Sequence, residues 1–481
     1  MSHKFFSRVL PVALLGGLVF SCAKDYVTGK RVFNLMSESQ EIALGKEADP
    51  QIVAEYGIYD DAKLAEFVNR VGQDIARVSH RPNIQYTFRV VDSPIVNAFA
   101  LPGGYVYFTR GILAHFNSEA EMAGVMGHEI GHVTARHGAE QQSKGQLAQL
   151  GLGLGSVLSE DFNRFSGIAQ LGVGLLFLKF SRSQESESDL LGVEYSTRLG
   201  YNAHEMAGFF RTIGRLSGGN EGERLPSYLS THPDPGDREV RVNQLAGEWQ
   251  TKVPYQPKNL NRLDYLRMID GVVYGEDPRQ GFVENNVFYH PGLRFQFPVP
   301  EKWLVANSPQ SVDMQSPEKN AGIQFTLGKG TTPQQAADNF VTGAQATVIR
   351  RENARVHGMT AVVLETSLQS QNTALQVLSY FIQKEQNIFV FHGFTTPAVY
   401  TKVYGTFTSV MAGFDELRNQ AALNKKPNRV RIETAKQDAD LATALKGFGM
   451  KDDMLKELSI LNGMTTEARV KRGDPIKVVR P

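Results

Sequence analysis

The sequence predicts an α+β protein of about three domains, the first mainly helical with a small antiparallel sheet. The length of 481 residues sets the number of domains. Helix signals surround residues 118–138, and alternation of apolar and polar residues after residue 285 is typical of strands. We divide the chain into a leader, a first domain, a connector, a second α+β domain and a small C-terminal module: 1–22, 23–255, 256–284, 285–418 and 425–481.

A His-Glu-x-x-His motif at residues 128–132 is the most informative stretch of the chain. Residues four apart lie on one face of a helix, so His128 and His132 can reach a single metal ion. Glu129 stands beside the first histidine, where it can take a proton from a water molecule at that metal. The alternative is a polar helix face that carries two histidines by chance.

The flanks of the motif also predict a helix. Ser118 and Glu121 have the spacing of a capping box, in which the serine caps the helix and the glutamate reaches back to the serine. Gly138 is predicted to end the helix in the left-handed conformation.

A zinc site needs at least one further protein ligand. The arrangement with a third histidine six residues after the motif is excluded, because Gly138 holds that position and His137 is one residue out of register. The other common arrangement takes a glutamate from a second helix. Glu185 and Asp189 are four residues apart and share a helix face, so Glu185 can bind the metal while Asp189 orients a ligand histidine. A solvated acidic helix face is the alternative.

Four motifs in this order resemble the M48 metallopeptidases, a family that includes the CAAX prenyl proteases of eukaryotes and related bacterial envelope proteases. They are residues 97–104, the His-Glu-x-x-His helix, residues 181–189, and residues 230–233 followed by Arg238. Together they span about the first half of the chain. The resemblance implies a gluzincin-type domain that binds one zinc ion per chain, with the following residues at the site: ligands His128, His132 and Glu185, general base and acid Glu129, and supporting carboxylate Asp189.

The resemblance gives a role to two further residues. His232 precedes a proline in a loop-like stretch, and in this family the equivalent histidine approaches the zinc. It would either stabilise the oxyanion of the tetrahedral intermediate or occupy the open coordination position and hold the enzyme latent. Arg238 would support the site by pairing with a carboxylate, and a solvent-facing arginine is the alternative.

Residues 97–101 and 105–108 read as two strands joined by a Pro-Gly-Gly turn. In a zinc endopeptidase, an edge strand beside the metal can bind the backbone of the substrate as an added strand. We assign to this edge four residues: Asn97, Ala98, Phe99 and Ala100. An ordinary hairpin that supports the fold is the alternative.

The start of the chain has the form of an export signal. Lys4 and Arg8 precede an apolar run at 9–20, which is too short to span a bilayer. Residues 19–22 resemble a lipobox, so Cys22, the one cysteine of the chain, is predicted to be lipidated. Ala23 follows it rather than aspartate, which by the sorting habit of Gram-negative lipoproteins indicates the outer membrane, facing the periplasm. An uncleaved anchor or a free thiol are the alternatives.

The charge of the chain gives no reason to expect nucleic-acid binding, since the formal net charge is +1. Two glycine-rich apolar runs, 147–158 and 168–178, are each too short to cross a bilayer. We predict helices that are buried or partly exposed between the metal-binding segments. A hairpin that dips into lipid is the alternative.

The predicted second domain carries no catalytic constellation. Residues 285–418 predict a sheet with helices that begin at Thr332-Pro333 and Thr396-Pro397, and they loosely resemble the PsbP type of module. Residues 429–479 resemble a degenerate LysM module, a type that often binds peptidoglycan. A tail that packs on its neighbour is the alternative.

These observations predict a lipid-anchored zinc endopeptidase of the cell envelope that acts on unfolded or misfolded polypeptides. A latent protease that works mainly as a chaperone, scaffold or cell-wall-associated binding protein is the rival hypothesis. A prenyl-protein protease would be expected to have several membrane spans, which the hydropathy does not provide.

Overall fold

The computed structural model describes residues 22–149, 180–217, 228, 231–232, 237–370 and 373–481. The predicted leader up to residue 21 and almost all of the two apolar runs lie outside the described residues. Within the described part of the chain, no helix is both long enough and apolar enough to cross a membrane.

The chain begins with two short paired strands and two long helices. Strands β1 (Cys22–Lys24) and β2 (Arg31–Phe33) are antiparallel. Helix α1 (Glu38–Tyr56) has a true capping box at Ser37, and helix α2 (Ala62–Val78) begins at Asp61, whose side chain accepts from the N–H of Leu64.

The small sheet of the first domain has three strands in the order β3-β5-β4: β3 (Thr87–Val91), β4 (Ala98–Leu101) and β5 (Tyr105–Thr109). The predicted β4–β5 hairpin is present, and β4 is an edge strand. The sheet is mixed rather than antiparallel as predicted, because β3 pairs with the other side of β5 in the same direction. Alternation along a strand shows which side is buried but not the direction of its neighbour.

Helix α4 (Glu119–Thr134) lies at the centre of a group of helices that follows the sheet. All its residues from Ala120 to Thr134 are buried. The group comprises α3 (Arg110–His115), α4 (Glu119–Thr134), α5 (His137–Gln149), α6 (Arg182–Arg198), α7 (His204–Ser217), α8 (Arg238–Lys252) and α9 (Arg262–Ile269). A helix this enclosed can hold polar side chains only where they have partners inside the fold.

The start of α4 differs from the predicted capping box in one bond. Ser118 accepts from the N–H of Glu121 at 3.1 Å, as predicted. The carboxylate of Glu121 does not return to Ser118 but accepts from the N–H of Asn117 at 2.6 Å. The N–H of Asn117, just before the helix, thereby has an acceptor, and Ser118 alone caps the helix.

The end of α4 was also predicted wrongly. The helix stops at Thr134, and Arg136, with φ of 59°, is the left-handed residue. Its guanidinium donates to Glu41 and to the carbonyl of Met36, both at 2.8 Å, which holds it in that conformation. Gly138 lies inside α5 instead, where a Cβ would come within 3.1 Å of a ring carbon of Pro102.

Helices α4 and α6 cross at two glycines. A Cβ on Gly192 would lie 2.9 Å from the backbone nitrogen of His128, and one on Gly127 would lie 3.0 Å from the Cα of Gly192. The absence of side chains lets the two backbones approach directly. The close crossing brings the acidic face of α6 to the histidine face of α4.

The second domain contains two antiparallel sheets. The larger sheet has seven strands in the order β12-β13-β14-β15-β11-β10-β9, and the smaller has four in the order β16-β8-β7-β6. The strands are β6 (Phe282–Glu284), β7 (Val287–His290), β8 (Phe295–Pro298), β9 (Leu304–Asn307), β10 (Ser311–Gln315), β11 (Ala321–Leu327), β12 (Thr347–Val356), β13 (Met359–Ser370), β14 (Thr373–Lys384), β15 (Asn387–Thr395) and β16 (Asp415–Glu416).

Helices cover the two faces of the larger sheet. Helix α10 (Pro333–Ala344) packs on one face and α11 (Pro397–Ala412) on the other, and both start at the predicted Thr-Pro pairs. A short helix, α12 (Gln420–Leu423), leads to the C-terminal segment. The α+β character predicted for this part of the chain is therefore present.

The C-terminal segment shares a hydrophobic core with the first domain. Its elements are β17 (Arg429–Thr434), β18 (Ala439–Asp440), α13 (Leu441–Gly447), α14 (Leu455–Leu461), β19 (Arg469–Val470) and β20 (Pro475–Arg480). Leu458, Leu461 and Val478 belong to the same buried cluster as Leu113 and Phe116. The alternative of a tail that packs on its neighbour is thus present, and the LysM resemblance stays a prediction.

Candidate metal centre

Four buried side chains from three parts of the chain converge on one point. His128 and His132 come from α4, Glu185 from the first turn of α6, and His232 from the segment before α8. One potential ligand atom from each lies within 4.8 Å of all the others, and none of the four side chains is more than 2% exposed. The sequence predicted three of these as metal ligands and left the place of His232 open.

The spacing of these atoms fits one tetrahedral zinc ion. Ligands about 2.0–2.1 Å from a tetrahedral metal lie about 3.3 Å from one another. The Nε2 atoms of His128 and His132 are 3.0 Å apart, and the Nδ1 atom of His232 is 3.4 Å from Nε2 of His128. Oε1 of Glu185 is 3.4 Å from Nε2 of His132 and 3.1 Å from Nδ1 of His232.

Charge and burial at the centre favour metal binding over an ordinary polar core. Burial lowers the pKa of His132 well below its ordinary value, so this imidazole is neutral and keeps a lone pair. Both carboxylate oxygens of Glu129 and one of Glu185 lack a hydrogen-bond partner in the described part of the chain. Such buried acceptors are costly unless a cation or a substrate satisfies them.

Asp189 contacts the first histidine, and its role in orienting that ring stays a prediction. Its Oδ1 lies 2.9 Å from Nδ1 of His128, which leaves Nε2 of that ring to face the centre. Arg238 donates to both oxygens of Asp189, at 2.7 and 2.9 Å, and its guanidinium stands 4.0 Å from the ring centroid of Phe210. Burial opposes ionisation of Asp189, but Arg238 and His128 outweigh it and lower the pKa of Asp189.

Glu129 projects from α4 toward the same point. It is fully buried, and burial raises the pKa of its carboxyl above the ordinary value. Its Oε1 is 3.6 Å from Nε2 of His232. A carboxyl with a raised pKa and an adjacent imidazole is suited to accept and release a proton.

The segment that carries His232 is attached to the start of the edge strand β4. Tyr228 stacks on His232 with ring centroids 4.7 Å apart, and its N–H donates to the carbonyl of Val96 at 3.2 Å. Thr231 lies 3.5 Å from the side-chain oxygen of Asn97. The sequence reasoning missed Tyr228, because a tyrosine four residues before a histidine carries no metal-site signal.

The four predicted substrate-binding residues stand at this edge. Asn97 precedes β4, and Ala98, Phe99 and Ala100 lie within it, against α4. Asn97, Ala98 and Phe99 are buried, while Ala100 is partly exposed. The edge position is observed, and the binding of a substrate strand there stays a prediction.

Two further side chains contact His132. Phe180 stacks on its ring with centroids 4.0 Å apart, and His137 approaches its Nδ1 atom to 3.0 Å. The sequence reasoning set His137 aside because its spacing excludes a third zinc ligand. The signal that could have found it is its place five residues after His132, beyond the end of the helix, where a chain reversal can turn the ring back.

Residues 62–246 match the model of peptidase family M48, a stretch that contains all the residues that form the centre. This part of the chain is an M48 peptidase domain. The predicted family resemblance is thereby confirmed.

Relatives of the M48 domain include named proteases of bacteria and mitochondria. The chain is 35% identical over 189 residues to mitochondrial metalloendopeptidase OMA1 of Arabidopsis thaliana, which covers 39% of this chain and 37% of that protein. It is 28% identical over 230 residues to the beta-barrel assembly-enhancing protease of Escherichia coli K12, which covers 45% and 47%. The chain therefore spans less than half the length of these relatives.

One solved structure resembles a smaller part of the chain. Cyanobacterial PsbP of Synechocystis is 14% identical, with a TM-score of 0.24, and covers 27% of this chain and 91% of that one. A score this low carries no argument, so the PsbP resemblance of the second domain stays a prediction.

Proposed function

We propose that the chain is a zinc-dependent endopeptidase whose M48 domain hydrolyses peptide bonds. The observation that carries the proposal is the tetrahedral spacing of four potential ligand atoms around one point, beside the carboxylate of Glu129, which accepts no hydrogen bond from the described residues. Neutral imidazoles and a carboxylate are the ligand types that zinc takes in peptidases, and the spacing fits one ion per chain.

In the mechanism, His128, His132 and Glu185 would hold the ion. Zinc, when bound, polarises the peptide carbonyl and activates water. Glu129 accepts the proton of the attacking water and then donates it to the nitrogen of the leaving amine. Its buried position excludes bulk water, and the raised pKa allows it to hold the proton between the two steps.

The test is cleavage of casein by a protein that starts at residue 23, compared with Glu129→Gln, with zinc measured on both. Both proteins should carry about one zinc ion, and cleavage by the wild type alone would establish the peptidase and the role of Glu129. Zinc in both proteins without cleavage by either would indicate a latent site. If neither protein binds zinc after it is added back, the metal site is refuted and the binding-protein hypothesis is favoured.

We further propose that His232 holds the centre latent as a fourth ligand. Its Nδ1 atom lies 3.4 Å from Nε2 of His128 and 3.1 Å from Oε1 of Glu185, which is the separation of two ligands of one tetrahedral zinc ion. Protein atoms would then fill every tetrahedral position. Water and substrate could bind only after His232 moves away. This arrangement favours the latent protease over an enzyme that is permanently open.

His232→Ala separates latency from a role at the oxyanion. Casein cleavage should rise if His232 blocks the site and fall if it stabilises the transition state. His357→Ala is the control, because His357 is 49% exposed in the second domain. Equal cleavage by both variants and the wild type would exclude both roles.

The proposed substrates are unfolded or misfolded polypeptides of the cell envelope. The name of the E. coli relative concerns the assembly of beta-barrels, and an edge strand at the centre suits binding of an extended backbone of any sequence. Trypsin-resistant and heat-unfolded forms of one outer-membrane protein would serve as paired substrates. Cleavage of the folded form at an equal rate would contradict the proposal.

The location we propose is the outer membrane, facing the periplasm, through a lipid on Cys22. The paired strand β1 begins at this residue, so folded structure would start directly at the anchor. Cys22→Ala should move the protein from the membrane fraction to the soluble fraction. Binding of the C-terminal segment to peptidoglycan is a further proposal, to be tested by sedimentation of the chain with purified sacculi.

A further inference from the structure

His132 is the first of three hydrogen-bonded side chains that lead from the metal centre to the surface. Its Nε2 atom faces the centre, and its Nδ1 atom is 3.0 Å from Nδ1 of His137. The other nitrogen of His137 is 3.3 Å from Oε2 of Glu187. His137 is 2% exposed, whereas Glu187 is 28% exposed at its side chain, so the chain runs from the buried centre to the surface.

The direction of each hydrogen bond follows from what the first imidazole must do. To offer a lone pair from Nε2, His132 must carry its proton on Nδ1 and donate it. The Nδ1 atom of His137 must then accept, so His137 carries its proton on Nε2 and donates it to the carboxylate of Glu187. Ser188, with its hydroxyl 3.3 Å from Nδ1 of His137, is a second donor to that atom.

We infer that His137 is a positioning residue of the metal centre, which fixes the tautomer and the ring orientation of His132 with Glu187 behind it. This inference rests on the proposed function. The geometry gives the two ligand histidines different supports: His128 is next to a carboxylate that pairs with Arg238, and His132 is next to the imidazole of His137.

The distinction between a positioning residue and a mere packing residue can be made with two amides. The side-chain oxygen of asparagine can take the place of Nδ1 of histidine, whereas that of glutamine takes the place of Nε2. His137→Asn therefore keeps an acceptor for the proton of His132, and His137→Gln removes it while keeping a polar side chain of similar size.

The experiment measures zinc affinity by competition with a chelator on the full chain and on these two variants. His137→Gln should bind zinc roughly 10- to 100-fold more weakly than wild type, and His137→Asn should stay within about threefold. Far-ultraviolet circular dichroism and the melting temperature of each apoprotein, compared with Glu66→Gln on the exposed side of α2, show whether the variants fold.

Each outcome decides between the alternatives. Equal loss of affinity in both variants would overturn the inference, because the acceptor at Nδ1 would not be the property that matters. Wild-type affinity in His137→Gln would also overturn it. Wild-type protein that binds no zinc would instead refute the proposed function. A glutamine variant that fails to fold leaves the decision to Glu187→Leu, which should weaken zinc binding if the chain of bonds operates and leave it unchanged otherwise.

Discussion

At the scale of single residues, the centre depends on a charge balance that is closed off from solvent. Asp189 lies between His128 and Arg238, and all three are no more than 4% exposed. In a medium that screens charges poorly, loss of one member leaves the others uncompensated. We therefore expect Asp189 and Arg238 to matter to the centre as much as the proposed ligands do.

The first prediction concerns Asp189→Asn. The amide keeps the shape of the side chain but leaves Arg238 without its main counter-charge, so zinc affinity should fall roughly 10- to 100-fold and the fold should lose stability. Chelator competition and urea unfolding measure the two effects. Glu66→Gln, at an exposed position, should change neither. Unchanged zinc affinity in Asp189→Asn would contradict the supporting role of the Asp189 carboxylate.

The sequence predicted the residues of the centre better than their surroundings. His128, Glu129 and His132 have a fixed spacing on one helix, and Glu185 and Asp189 repeat that spacing on another, so local periodicity reveals them. Phe180, which precedes α6, stacks on His132 of α4, so this contact depends on how separate segments pack and no local pattern encodes it. Tyr228 stacks on His232 four residues later, and a tyrosine at that spacing carries no metal-site signal by itself.

At the scale of the elements, the crossing of α4 and α6 decides whether the ligands meet. Glu185 and Asp189 reach the histidines only because Gly127 and Gly192 allow the two helix backbones to touch. The sequence showed the acidic face of α6 and the histidine face of α4 but not this contact, because a glycine within a helix usually indicates only a less stable helix. Here the contact outweighs the loss of helix propensity.

Gly192→Ala tests this crossing. The new Cβ would lie 2.9 Å from the backbone nitrogen of His128, so the two helices must separate. The unfolding free energy should fall by about 1–3 kcal/mol, and zinc should bind more weakly. Gly247→Ala is the matched control, because a Cβ added at this position of α8 would meet no atom of the described residues within 4 Å. The control should gain up to about 1 kcal/mol from helix propensity. A gain in both variants would refute the tight crossing.

The second domain should be sensitive to acid through His392. Its ring stacks on Phe340 of α10 and bonds to Ser379, and burial lowers the pKa of His392 from 6.5 to about 4. Between pH 6.5 and 4, the unfolded chain therefore binds a proton at this histidine more readily than the folded chain does. As the pH drops from 6.5 to 4, the protonation of this residue should lower the unfolding free energy by up to about 3 kcal/mol. Below pH 4 this residue should cause no further loss.

Urea unfolding at several pH values, followed by fluorescence of Trp303 in a Trp249→Phe background, measures this loss. In His392→Gln the fall between pH 6.5 and 4 should be smaller than in the wild type. His357→Gln should behave as the wild type does. Parallel pH profiles for His392→Gln and the wild type would contradict the assignment to His392.

At the scale of the whole molecule, the C-terminal segment completes the first domain. Lys477 of β20 is fully buried, and its Nζ atom donates to the carbonyls of Ala114, Phe116 and Leu461, at 2.8, 2.6 and 2.9 Å. These carbonyls lie at the ends of α3 and α14, where helices leave acceptors unpaired. Local sequence patterns could not reveal this contact, because Lys477 and Ala114 are separated by 363 residues.

Lys477→Met tests this connection. The substitution removes the donor from three buried carbonyls, so the unfolding free energy should fall by at least about 3 kcal/mol. Zinc affinity should fall as well, because the C-terminal segment and the first domain share one core. Lys471→Met, at an exposed position of the same segment, should change neither quantity. A variant that keeps zinc while only the C-terminal segment melts would show that the two parts are independent.

The position of β20 has a consequence for biosynthesis. Its residues are made long after those of the metal centre, yet they supply part of the core on which α4 rests. A nascent chain that has already exposed His128, Glu129 and Glu185 still lacks that support. Peptides released by premature termination before residue 475 should therefore be poor scaffolds for zinc, so the order of synthesis would delay formation of a stable centre until β20 has been made.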